Sequence, residues 1–359
     1  LPRLASELIA WGEVELVDGA PRLALQGEWT ALQWPLAESA VVESTFGSFL
    51  LEGGLPYRYR LQASARGPQL PSAVFDADGT IEQSAVVVDS ISGKVLDGEL
   101  RGSGRLDWSG EQRWNVAIDG RDLDLSKLRA DLQGRVNIAG QAEGYGLSAD
   151  GRWTARIDRL SGTLLGRPLT GRGSIAHRAG AYDLDRIRVA SGPSHVDVDG
   201  LWGPSVDLEW QADLESLGIV TAGLGGSMSG RGTIRGPQAR PRIEGSFRAR
   251  DLVYGALQAD LASAEFDLDL GNAHPSRIDA RIRDAAAGAL EFSAITLHGE
   301  GPIDDHGFKI VLDSPGSTDG RVAGFEARLE AAGRTSVDER RWSGDIERIR
   351  VDFTDDTAE

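Results

Sequence analysis

Apolar and polar residues alternate with period two along most of this chain. Tyr57, Tyr59, Leu61 and Ala63 take turns with Arg58, Arg60 and Gln62. Trp114, Val116 and Ile118 take turns with Asn115 and Ala117, and Val206, Leu208, Trp210, Ala212 and Leu214 with Asp207, Glu209, Gln211 and Asp213. The rule recurs at Ala264, Phe266, Leu268 and Leu270, at Ile278, Ala280 and Ile282, and at Phe308, Ile310 and Leu312. It recurs again at Phe325, Ala327 and Leu329, and at Ile349, Val351 and Phe353. Successive side chains of a strand point to opposite faces, so this period predicts strands with one apolar and one charged face. Gly, Pro, Asp or Ser closes most of the stretches, as turns require.

Helical signals are thin. Residues 1–10 read as a short helix, residues 124–131 as a turn or two capped by Asp124 or Ser126, and residues 214–222 as a similar connector. None is long enough to cover a sheet. The apolar face must therefore be covered by the sheet itself, by a second sheet, or by something that is not protein. Glycines recur in register: Gly134, Gly140 and Gly144 have the spacing of Gly226, Gly232 and Gly236, and Gly151-Arg152-Trp153 parallels Gly245-Ser246-Phe247. That repetition predicts tandem strand-rich units, approximately 98–192 and 193–290, within one elongated segment covering 1–359. Three architectures fit: a curved sheet folded over an apolar groove, a closed solenoid with a filled interior, or a row of sandwiches. The last fits worst, because no Pro- or Ser-rich linker divides the chain. At roughly 12 residues per strand and turn, about 30 strands spaced ~4.7 Å apart are expected, a length suited to spanning a distance.

Composition narrows the function. Acidic residues number 55 against 38 basic ones, a net charge of −17, which argues against a nucleic-acid partner. There is no cysteine, hence no disulfide, thiolate metal site or cysteine nucleophile. No apolar run approaches the ~18 residues of a membrane-spanning helix. The chain begins at Leu1, which reads as a mature piece or a fragment, with any signal or anchor upstream. Catalytic motifs are missing: neither HExxH nor Gly-x-Ser-x-Gly occurs, Met228 standing at the nucleophile position of the nearest match. Asp304-Asp305-His306-Gly307 carries metal-ligand residue types but reads as a polar turn. Gly230-Arg231-Gly232-Thr233-Ile234-Arg235-Gly236 has the wrong spacing for a phosphate loop, with no helix after it. The chain reads as a non-enzyme without metal or cofactor.

What remains is the apolar phase itself. Its candidate lining residues are Trp114, Val116, Ile118, Trp153, Ile157, Val206, Leu208, Trp210, Phe247, Phe266, Leu268, Phe292, Phe308, Ile310, Phe325, Leu329, Ile349, Val351 and Phe353. In an ordinary fold they are core. In an open groove they shield acyl chains, because each buried CH₂ contributes ~0.8 kcal/mol.

Gly27-Glu28-Trp29 with Trp34-Pro35-Leu36, Gly47 to Gly53, Gly98 to Trp108 followed by Trp114, Leu160 to Gly173, Gly200-Leu201-Trp202, and Gly232 to Gly245 follow one another along the chain. In their order and density these segments resemble the TamB family and the wider AsmA-like group of repeating β-groove proteins. The resemblance covers residues 27 to about 260. It implies an all-β fold: a long curled β-sheet (a β-taco) with an apolar interior and few short helices. It also implies a periplasmic location, with the whole protein anchored in the inner membrane by a segment absent here, so that this chain is a middle piece. The implied role is to conduct phospholipids toward the outer membrane and support outer-membrane protein assembly. The implied partners are phospholipid acyl chains, a TamA-like Omp85 barrel reached through the full-length protein, and unfolded outer-membrane clients. The rivals are a scaffold that takes client strands onto its open edges, a passive filled solenoid, and a sugar-binding solenoid. The last would put Trp beside carboxylates on the solvent phase, whereas these Trp follow the apolar phase.

Overall fold

The computed structural model describes residues 6–34, 42–67, 70–147, 151–219, 223–318, 320–336 and 341–354. The chain divides into two compact units, Leu1–Gly180 and Ala181–Glu359. Both are built almost wholly of antiparallel strands.

The first unit runs through β1 (Glu7–Val17), β2 (Ala20–Trp34), β3 (Val42–Gly53), β4 (Tyr57–Gly67), β5 (Leu70–Ile81), β6 (Ala85–Val95), β7 (Gly98–Asp107), β8 (Arg113–Asp124), β9 (Arg135–Tyr145), β10 (Arg152–Leu164) and β11 (Arg167–Arg178). Each strand pairs with the next in sequence, a pure meander. No pairing of β1 with β11 closes it into a barrel. The second unit repeats the plan with β12 (Ala181–Ser191), β13 (Ser194–Trp202), β14 (Ser205–Leu214), β15 (Leu224–Pro237), β16 (Arg242–Tyr254), β17 (Leu257–Asp269), β18 (Ser276–Ala287), β19 (Leu290–Gly301), β20 (His306–Ser314), β21 (Gly316–Ser317), β22 (Phe325–Ser336) and β23 (Arg341–Phe353). It too is a meander, except that the two-residue β21 pairs back onto β19 and lets β20 pair with β22.

Every alternating stretch named above lies in a strand, apart from Leu270, which falls in the turn just after β17. The strands are longer than expected, 10–15 residues in most cases, so there are 23 among the described residues rather than about 30. Residues 7–10, read as part of a helix, belong to β1; the start of that reading, residues 1–5, lies outside the described residues. The alternation of Leu8, Ala10 and Gly12 against Glu7, Ile9 and Trp11 is satisfied by cross-strand pairing with Trp29, Gly27 and Leu25 of β2, and that tertiary pairing overrides a short apolar run's helical potential. The other two helical readings survive as single 3₁₀ turns. At Leu125–Lys127 the Asp124 carboxylate accepts from the Ser126 N–H at 3.0 Å and from its hydroxyl at 2.6 Å; the second turn is Leu217–Ile219.

Tight turns join many strands. Asp18-Gly19 and Leu96-Asp97 both place two residues at positive φ, the mirror-image turn whose twist matches that of the flanking strands. A second device recurs inside the strands. Asp122, Arg186, Asp251 and Asp284 sit at φ between 49° and 56°, and the first two each open a two-against-one bulge. A bulge leaves a backbone N–H without its ladder partner. Here the opposite strand supplies one: Asn137 Oδ1 accepts from Asp122 N–H, and Asp199 Oδ2 from Arg186 N–H, both at 2.9 Å. Each bulge advances the alternation by one residue, so Leu123 follows Gly120 onto the apolar face beside Val136 and Leu169.

Candidate functional site

Register turns the scattered apolar residues into continuous rows. In the first unit one row runs Leu106, Trp114, Gly144, Trp153 and His177 across β7 to β11. The next runs Gly104, Val116, Ala142, Ala155 and Ile175, and a third Gly102, Ile118, Gly140, Ile157 and Gly173. In the second unit a row crosses from Val198 through Trp210, Gly232, Gly245, Phe266, Ile278, Gly299 and Phe308 to Ala331. Its neighbour runs Ala212, Gly230, Phe247, Ala264, Ala280, Leu297, Ile310, Leu329 and Ile349. Val206 and Leu208 flank these rows on β14 and Leu268 on β17, while Val351 extends the face onto β23. Ring contacts carry the face on from Phe292 to Phe325 (centroids 6.5 Å apart) and from Phe325 to Phe353 (6.2 Å). Phe292 pairs with Ala285, five residues from Leu297, and reaches the face through its ring contact with Phe325.

The face is not uniformly covered. Val206 and Leu208 are 2% and 6% exposed, whereas Phe353 is 67% exposed. Apolar side chains of β1 and β23, including Leu16 and Ile349, stand open to solvent.

The sequence reading missed the role of glycine on the apolar phase. Many of the rings lie over a glycine of the adjacent strand. A Cβ on Gly47 would stand 2.0 Å from Trp29 Cζ2, one on Gly144 2.6 Å from Trp114 Cζ2, one on Gly245 2.9 Å from Phe266 Cζ and one on Gly299 2.7 Å from Phe308 Cδ1. The absent side chain lets each ring lie down along the sheet instead of standing out from it. The signal was present as Gly falling in apolar phase opposite an aromatic residue, but it appears only once register is known.

The opposite face is laced with ion pairs. Arg242 donates to Asp267 (2.7 Å) and pairs with Glu244; Arg235 meets Asp207 (2.9 Å), Arg188 meets Asp197 (2.8 Å), and Arg350 meets Asp352. Hydrogen bonds from His298 and then Arg277 hold the Asp279 carboxyl below the usual carboxylate range. The recessed clefts of each unit run mainly along this charged phase. One of them, about 1060 Å³, is lined by residues such as Asp197, Glu209, Arg231, Glu244 and Asp267, with Val198, Trp210 and Phe266 entering from the other phase. A strongly twisted sheet is saddle-shaped, and so presents a concavity on each face along opposite diagonals.

No His, Asp or Glu group among the described residues could hold a metal ion. The Asp304–His306 segment is divided: Asp304 accepts from the Asn272 amide, while the His306 ring lies between the Ile303 carbonyl (3.0 Å) and Trp342 Nε1 (3.0 Å). Gly230–Gly236 lies within β15. No helix among the described residues is long and apolar enough to cross a membrane.

Compared with known families, residues 8–356 match the model described as "TamB, N-terminal domain". No curated protein and no solved structure matches the chain.

Proposed function

Because the chain belongs to the TamB family, we propose that its apolar face carries phospholipid acyl chains through the periplasm between the inner and outer membranes, without covalent chemistry. In this reading the whole protein is anchored at the inner membrane and meets a TamA-like Omp85 barrel beyond this chain, and supports assembly of outer-membrane proteins. The observation that carries the proposal is the continuity of the apolar rows across successive strands. Acyl chains gain ~0.8 kcal/mol for each CH₂ removed from water, so an uninterrupted apolar strip is a path along which a lipid moves without re-entering solvent. Rings laid over glycines fit this use, because they add apolar area without obstructing the strip. The ion-paired phase keeps the outer surface hydrated. The strip supplies a path and no driving force, so direction comes from elsewhere in the assembly.

The test is site-specific photocrosslinking in a Gram-negative host. A benzophenone side chain placed at Phe247, Phe266 or Ile310 is expected to capture phospholipid. The same probe at Glu265 or Lys309, one residue away on the charged phase, is expected to capture none. Absence of lipid adducts from the apolar positions, or equal capture from both phases, refutes the proposal.

A further inference from the structure

The chain carries a net charge of −17, yet many of its cations, such as Arg58 and Arg60 of β4, are not paired with a carboxylate of any described residue. One neighbourhood of the second unit gathers three such guanidiniums in one place. Across β15 to β19 the register aligns Ser229, Arg248, Ser263, Arg281 and Thr296 in one row, and Arg231 occupies the adjoining row. All six line a single cleft of about 760 Å³. The guanidinium groups of Arg231, Arg248 and Arg281 form no ion pair or hydrogen bond with any described residue. The nearby carboxylates do not neutralise them. Asp279 is held by Arg277 and His298 at 2.7 Å each, and Asp213 by Gln211 (3.0 Å) and His195 (3.4 Å). Asp279 is thus paired with a cation, while Glu265 and Asp213, whose Gln211 partner is neutral, keep their charges, so three free guanidiniums face two carboxylates.

The geometry has a further property. Arg248 and Arg281 stand two strands apart, about 10 Å at the usual strand spacing. Between them lies Ser263, so the space separating the two forks is floored by a hydroxyl and not filled by a bulky side chain. A planar carboxylate is satisfied by one guanidinium fork. A tetrahedral oxyanion presents three or four acceptors and is matched by several forks with hydroxyl donors between them. We propose that this cleft is a binding site for a phosphate group. It lies on the face opposite the apolar rows, so it stands independently of the lipid-path reading. The phosphate comes either from a small phosphorylated solute or from a phospholipid headgroup approaching the charged face.

The test is titration calorimetry of the full chain with inorganic phosphate, at constant ionic strength set by potassium chloride, with a parallel arm using monomeric dihexanoyl phosphatidic acid. Saturable binding is expected in at least one arm: phosphate binding identifies a small-solute site, and binding of the lipid alone identifies a headgroup site. Arg248→Gln with Arg281→Gln should weaken binding at least tenfold, and Glu265→Gln should tighten it severalfold. Arg350→Gln, outside the cleft, should change it less than twofold. The far-ultraviolet circular dichroism of each variant confirms the strands are intact. No saturable binding in either arm, or binding that the double Arg variant leaves unchanged, overturns the proposal.

Discussion

Replacing Gly47 with Ala tests whether rings are accommodated by missing side chains. The backbone at Gly47 is not in the left-handed region, so Ala is conformationally admissible there. The added methyl would lie 2.0–2.6 Å from three atoms of the Trp29 indole. That ring is 8% exposed, stacks on Phe49 at 6.5 Å, and its Nε1–H donates to Ser44 Oγ at 2.9 Å. The methyl can be accommodated only by moving the indole. Overpacking of this kind costs about 1–3 kcal/mol, and losing the indole hydrogen bond about 1 kcal/mol more. Ala regains about 0.5–1 kcal/mol through the reduced freedom of the unfolded chain. The net expectation is about 2 kcal/mol of destabilisation, measured by urea unfolding followed by tryptophan emission and circular dichroism. Gly54→Ala is the control, because its nearest neighbour to an added methyl is the Pro21 carbonyl oxygen at 3.9 Å; with no clash to oppose the unfolded-chain term it should be neutral to stabilising, by up to about 1 kcal/mol. The decisive comparison is a double-mutant cycle. In a Trp29→Val background the Gly47→Ala penalty should nearly vanish, since the atoms the methyl would meet are gone. An equal penalty in both backgrounds, or none in the wild type, refutes the reasoning.

Two further outcomes follow from other contacts. Asn137→Ala removes the acceptor for the Asp122 N–H and should cost about 0.5–1 kcal/mol in urea unfolding, with Asn137→Asp restoring most of it because an acceptor oxygen is regained. The Asp269 carboxyl is raised by burial but lowered more by the backbone N–H groups of His274, Gly271 and Ala273, so its net shift is downward. A depressed carboxyl stabilises the fold above its unfolded value of ~3.9, and that contribution is lost as pH falls through the lower folded value. Asp269→Asn should therefore be clearly less stable than wild type at neutral pH, with the gap narrowing as pH falls below about 4; a gap independent of pH contradicts the assignment.

The strands were legible because alternation is a local property. Val206 to Leu214 or Phe308 to Leu312 needs no knowledge of neighbours to be read as half-buried. The single turn after Asp124 was legible for the same reason, its cap lying two residues from the group it serves. Residues 7–10 were misread because six or seven apolar residues in ten satisfy a helix and a strand alike, and only pairing with β2 decides. The strand count was overestimated because it assumed roughly 12 residues per strand and turn together, whereas most strands alone run 10–15 residues. On the candidate face, the alternation marks the apolar phase of each strand but not the order of residues across strands. That Trp210 adjoins Gly232 and then Gly245, or that Arg248 and Arg281 straddle Ser263, depends on register between residues 13 to 22 apart in the chain.

The nearest-neighbour pairing within each unit has a consequence for heredity. In a Greek key or a closed barrel, deleting one hairpin strands its distant partners. Here β16 pairs only with β15 and β17, and β19 only with β18 and the strands that follow it. If β17 and β18 were excised together, β16 and β19 would meet with opposite polarity, as an antiparallel ladder requires, and with Phe247 and Leu297 still on one side. Losing a single strand would bring two strands of the same polarity together, joined by a turn too short for a parallel crossover. Gene duplication and deletion in such a chain are therefore tolerated in even numbers of strands. The reach of the protein becomes a quantised trait, adjustable hairpin by hairpin without redesigning what lies on either side.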